Sequence, residues 1–231
     1  MNFEIHPREV FVKLLCLIFA LLFFNVMGVI SRFYFDHDYI YWLIRLLDFD
    51  TEKSIPTLYS TLALLFASTL LSIIALTHKR NGSAYLSWLG LVFIFLFLSV
   101  DEFVSLHERL NSPVRESLNT SGVLYFAWII PYGVALIAFI IAYLKFLTEL
   151  PRNIMILFVV SGAIYVSGAV GFEMVGGRQA ELYGTDNLLY SFFYTCEEFL
   201  EMLGIVIFIY ALLTYILSQF KSLTITVNEP N

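Results

Sequence analysis

Apolar runs of about 20 residues follow one another along the chain, and charges gather in the short stretches between them. A run of that length crosses a hydrocarbon layer about 30 Å thick as a helix. The stretch from Trp88 to Val100 contains no charge, whereas a barrel strand would alternate apolar and polar positions over about ten residues. The pattern therefore predicts an all-α, polytopic helical membrane protein, a single bundle over 1–217 with spans at about 9–30, 57–77, 85–108, 123–147, 152–176 and 188–217. The tail, 218–231, reads as disordered.

Local signals refine the spans. Pro56 suits the first turn of the second helix, Asn111-Ser112-Pro113 breaks the third, and Pro131 predicts a kink in the fourth. The fifth is expected to end at Gly176-Gly177. The first run resembles a secretory signal but exceeds a 7–15-residue core and lacks a small-x-small cleavage site, so it reads as a retained helix. Asn25, its strongly polar interior residue, fits an interhelical hydrogen bond. Tyr39 to Leu47 is aromatic and aliphatic but too short to span, which suits a segment lying at the headgroup level. Asp48-Phe49-Asp50-Thr51-Glu52 has alternating acids like the start of a calcium loop, without the Gly and distant Glu in register, and reads as a solvated acidic turn.

Composition agrees with this picture and narrows the partners. Hydrophobic residues make up 59% of the chain, and the mean hydropathy is +0.81, so the lipid bilayer is the expected environment. A net charge of −6 excludes nucleic acid, which requires a basic face. Cys16 and Cys196 form neither a disulfide framework nor a Cys-x-x-Cys pair and read as small core residues. Arg8, Lys13, Lys79, Arg80, Lys145, Arg152 and Lys221 fall on the side of the N-terminus, against Arg32, Arg45, Lys53, Arg109, Arg115 and Arg178 opposite. The first set lies in shorter loops near helix ends, where the positive-inside rule weighs it most, so both termini are expected in the cytoplasm.

The candidate chemistry lies in carboxylates placed where a membrane span should be apolar. Glu197, Glu198 and Glu201 sit inside the sixth run; each costs roughly 2.5–3.5 kcal/mol on insertion scales and needs a compensating cation, proton or water. Asp101, Glu102 and Glu108 end the third run and Glu173 the fifth. With six spans, all these acids fall in one layer, the outer third of the membrane. On a straight third helix Asp101, Ser105 and Glu108 share a face while Glu102 and His107 point elsewhere. On the fifth, Gly162 and Ala169 share the face of Glu173 and suit close helix contact. Such a set of oxygen donors suits Mg²⁺, Ca²⁺ or Mn²⁺ and is tolerable for Fe or Zn. Asp101, Glu102, Glu108, Glu173, Glu197, Glu198 and Glu201 are therefore the candidate ligands of a divalent metal cation, with His107 and Glu108 as candidate catalytic groups. A di-iron bundle needs a Glu-x-x-His on each of two helices, which this chain lacks; His37 could supply a further imidazole. The plainer reading leaves Glu173 at the headgroup level, paired with Arg178.

Leu47-Asp48-Phe49-Asp50-Thr51-Glu52-Lys53-Ser54-Ile55-Pro56, Ser99-Val100-Asp101-Glu102 with His107-Glu108, and Glu197-Glu198-Phe199-Leu200-Glu201-Met202-Leu203-Gly204 together resemble a family of uncharacterised bacterial multi-pass inner-membrane proteins. The resemblance implies a membrane protein with a site at these residues and no particular reaction. Three functions compete: a metal-dependent membrane enzyme acting on a lipid-derived substrate, a cation or proton transporter or channel, and a non-enzymatic sensor or assembly factor built on structural ion pairs.

Overall fold

The computed structural model describes residues 6–34 and 41–220. His37 and the tail residues from 221 onward lie outside the described residues. Among those described the secondary structure is helical throughout: α1 (Pro7–Tyr34), α2 (Tyr41–Leu47), α3 (Ile55–Arg80), α4 (Leu86–Val104), α5 (Leu106–Arg109), α6 (Asn111–Leu118), α7 (Ile129–Glu149), α8 (Arg152–Val166), α9 (Glu173–Tyr183) and α10 (Leu188–Gln219). A π-helical turn, Ser167–Phe172, joins α8 to α9. The six helices long and apolar enough to cross a membrane are α1, α3, α4, α7, the continuous α8–α9 and α10.

Caps start two of these helices. The Ser54 side chain accepts from the Thr57 N–H at 3.2 Å, with Pro56 in the first turn of α3. Asn187 accepts from the Tyr190 N–H at 2.9 Å and so opens α10. Both side chains satisfy backbone donors that a helix start leaves orphaned.

Helix α10 is the axis of the bundle. It packs against α1, α3, α8, the π turn and α9, and Met202, Val206, Ile209 and Leu212 on it are fully buried. The outward faces are apolar instead: Val134, Ile137, Ile141 and Leu144 on α7 are all more than half exposed, the polarity expected where lipid is the solvent. Small residues set the closest helix pairs. Ser68 donates to Val92 O at 3.0 Å and Ser99 to Thr61 O at 2.9 Å, stitching α3 to α4. A Cβ on Gly204 would stand 2.9 Å from Ser161 O, so α8 and α10 meet backbone to backbone there.

Five local expectations are corrected. The third span is not straight: it stops at Val104, and Ser105 turns left-handed (φ 54°, ψ 50°) before the short helices α5 and α6. Pro131 occupies the first turn of α7, where its missing N–H has no partner to lose, and the fourth span begins there, not at 123. The fifth span runs through Gly176-Gly177 to Tyr183 and ends at Gly184 (φ 75°). Gly162 has open space around it, and the close approach is made by Gly168. Cys16 is exposed on the outside of α1, not a core residue.

Candidate functional site

A cavity of about 110 Å³ opens among the ends of α3, α4, α9 and α10 and is lined by Asp50, Glu52, Glu102, His107, Glu108, Glu173, Glu197 and Glu198, with Phe49, Thr57, Asn111, Phe126, Tyr190 and Tyr194. Seven of these are carboxylic acids, and among the described residues no Lys or Arg lines it. The structure thus brings five of the seven candidate ligands to one pocket. Asp101 and Glu201 are not among its lining residues.

The break at Ser105 determines the geometry. Because the chain turns there, His107 folds back over the end of α4 instead of pointing away from Asp101. The Asp101 carboxylate, only 5% exposed, accepts from the His107 N–H at 3.0 Å, the Tyr132 hydroxyl at 3.0 Å and His107 Nδ1 at 3.1 Å. A buried carboxylate needs such partners. Asp101 therefore fixes the orientation of the His107 ring through Nδ1. The imidazole also packs on Trp128, with centroids 4.9 Å apart.

Three of the other acids meet neutral donors. Ser105 Oγ donates to Glu52. Glu173 accepts from Trp128 Nε1 at 2.8 Å. The Tyr190 hydroxyl donates to Asp50 at 3.1 Å. The expected pairing of Glu173 with Arg178 is absent: among the described residues, the Lys and Arg ion pairs are Lys13–Glu9, Arg32–Asp186 and Lys145–Glu149. Nor do three His, Cys, Asp or Glu side chains among the described residues form a ready-made metal-holding group.

The turn that carries Asp50 and Glu52 is exposed at both acids, as expected of a solvated acidic turn, but it is also tied to the bundle. Phe49 is buried at 4% exposure, and its N–H donates to the side-chain oxygen of Asn25 at 3.0 Å. This tie tucks the turn against α1 and presents both acids to the pocket. Asn25 also donates to Thr195 at 2.9 Å, the interhelical bond its sequence position suggested. The available signal for the turn was Phe49, an aromatic between two acids.

Outside the spans, the titrations show how crowded the negative charge is. Asp50 lies at the pocket mouth with part of its surface open to solvent; desolvation by the surrounding protein, with Asp48, Glu108 and Glu173, pushes its carboxyl up to about 7 despite the opposing Tyr190 bond. Burial and then Glu52 raise Glu108. For His107 burial acts downward, but the Asp101 hydrogen bond and charge, with Glu201 and Glu108, outweigh it and push the imidazole to about 9.

Each shift has a sign for stability. A histidine raised in the folded state stabilises fully below its unfolded value of 6.5, and that stability is lost as pH rises through about 9. Asp50, a raised acid, also binds its proton more tightly when folded, so its share falls from about pH 3.8 to about 7. The melting temperature in detergent is therefore expected to fall between pH 6.5 and 9, and His107→Gln should flatten that part of the curve. Identical slopes in the two proteins would refute the assignment.

A family model described as a domain of unknown function, DUF8692, matches residues 13–216. The chain belongs to that family. The DUF8692 match runs from α1 into α10 and includes every residue of the pocket. No curated protein and no solved structure matches the chain.

Proposed function

We propose that this membrane protein binds a divalent cation in its acid-lined pocket and, with the His107–Asp101 pair beside it, acts as a metal-dependent enzyme on a lipid-derived substrate. The observation that carries the reading is seven carboxylic acids around one small cavity with no Lys or Arg among the described lining residues. In a protein read as membrane-spanning, such a set needs protons, water or a cation for compensation. The donor set fits a hard cation in its chemistry, since every carboxyl lining the pocket offers oxygen. Glu102, Glu108, Glu173, Glu197 and Glu198, with Asp50 and Glu52, would hold it. A cation bound there would polarise a carbonyl or phosphoryl oxygen, or activate water. His107, oriented by Asp101, is the proton carrier, and Glu108 is its neighbour on the pocket wall. With both termini cytoplasmic, as the Lys and Arg distribution argues, the pocket faces outward from a bacterial inner membrane.

Conduction across the whole bilayer is less well supported. Beyond Gly204 the bundle is filled by apolar and aromatic packing: Phe95 stacks on Phe208 at 4.5 Å, Phe208 meets Phe158 at 4.7 Å, and Trp88 meets Tyr215 at 4.8 Å. A purely structural role for the acids has lost its ion pair with Arg178.

The deciding experiment is elemental analysis of detergent-purified protein after repletion with Mg²⁺, Ca²⁺, Mn²⁺, Fe²⁺ and Zn²⁺. Wild type should hold a stoichiometric cation and release protons on taking it up. Glu198→Gln and Glu108→Gln should lose it while keeping their helix content. A folded wild-type protein that takes up none of the five ions would sink the reading.

A further inference from the structure

A second, more open cavity of about 260 Å³ adjoins the acid pocket and shares Asp50 with it; Arg32, Ile44, Arg45, Asp48 and Thr51 complete its lining. Arg32 comes from the end of α1 and Arg45 from α2, while the acids come from the turn before α3. Helix α2 has seven residues, too few to span, and Trp42, Leu43 and Leu46 on it are exposed by 68%, 39% and 37%. An aromatic and aliphatic face turned outward on so short a helix belongs at the level of lipid headgroups. Asp50 is held from α10 by Tyr190, which donates to it at 3.1 Å. Arg32 is fixed on one side by Asp186 at 2.7 Å. Arg45 has no ion pair among the described residues.

We infer that this cavity receives a phosphoethanolamine group, the headgroup of the lipid on which the pocket acts. The choice follows from the bipolar lining. A simple anion would find Arg32 and Arg45 but also Asp48 and Asp50; a simple cation would meet the reverse. A phosphate joined to a primary ammonium by a short link satisfies both pairs, the guanidiniums binding phosphate oxygens and the carboxylates accepting N–H bonds. A quaternary ammonium offers no N–H, and its usual receptor is an aromatic cage; among the described residues, none that lines this cavity is aromatic. The shared wall at Asp50 places the headgroup beside the acid pocket. The inference rests on the proposed function for turnover, but binding alone tests it.

The test is native mass spectrometry of the full chain released from nanodiscs containing equal amounts of phosphatidylethanolamine, phosphatidylcholine and phosphatidylglycerol. Wild type is expected to retain phosphatidylethanolamine about tenfold over either competitor. Arg45→Gln should abolish that preference, and Asp48→Asn should remove the advantage over phosphatidylglycerol. Both variants should still bind the cation, so failure of the cation reading and failure of this one are separately visible. Adding free O-phosphoethanolamine distinguishes the source: persistence of bound lipid identifies the lipid-borne group, and displacement identifies the soluble compound. Equal retention of the three lipids by wild type, or an unchanged preference in both variants, would overturn the assignment.

Discussion

Gly204→Ala is expected to lower the melting temperature in detergent by roughly 4–8 °C, the equivalent of about 2 kcal/mol of overpacking in a chain of this length. The added Cβ would stand 2.8 Å from Tyr165 Cβ and 2.9 Å from both Ser161 O and Tyr165 N. Two of those three atoms are backbone, so relief requires α8 and α10 to separate along their contact. Gly162→Ala is the control, because nothing lies within 4 Å of its added Cβ, and an exchange of Gly for Ala within a helix normally stabilises. Equal melting temperatures for Gly204→Ala and wild type would show that the two helices are not in backbone contact.

The second large effect is expected at Asn25. Asn25→Leu should fit by volume, but it leaves the Phe49 N–H without its acceptor in a site where Asn25 itself is only 1% exposed. An orphaned buried donor costs about 1–3 kcal/mol. The Asp48–Glu52 turn would then lose its tie to α1, and with it the placement of Asp50 and Glu52 at the pocket. Cation affinity, measured by calorimetry, should therefore weaken by about tenfold or more, the scale of change seen when outer supports of ligating groups are removed. Asn25→Asp keeps the acceptor and should weaken it less. Wild-type affinity in Asn25→Leu would mean that the turn holds its position by other contacts.

The spans were legible because lipid imposes a simple rule, an unbroken apolar run of sufficient length, and all six follow it. That Glu102, Glu108, Glu173, Glu197 and Glu198 line one pocket follows from the same count, because successive crossings place helix ends on one side or the other. What the chain concealed are its departures from regular helix. Projecting Asp101, Glu102 and His107 onto a straight helix put Asp101 and His107 on different faces, since a left-handed serine at 105 has no sequence signature comparable to glycine. The contribution of Glu52 was hidden by a long-range bond, Asn25 to Phe49, that no local pattern encodes. Gly168 was passed over in favour of Gly162 because a period of 3.6 residues was carried through a segment that does not obey it.

That segment has a further consequence. In the π turn the Glu173 N–H bonds the carbonyl of Gly168, five residues back, so the helix accommodates one residue more than an α-helix would between α8 and α9. One residue is about 100° of rotation. Insertions and deletions are usually absorbed by loops, whereas here the chain length within a single membrane span sets the compass bearing of Glu173. Loss of one residue between Ser167 and Phe172 would leave the span almost as long and as apolar as before while turning Glu173 off the pocket. For homologous chains the alignment column to watch is therefore a gap in this span, where a hydropathy profile records no change.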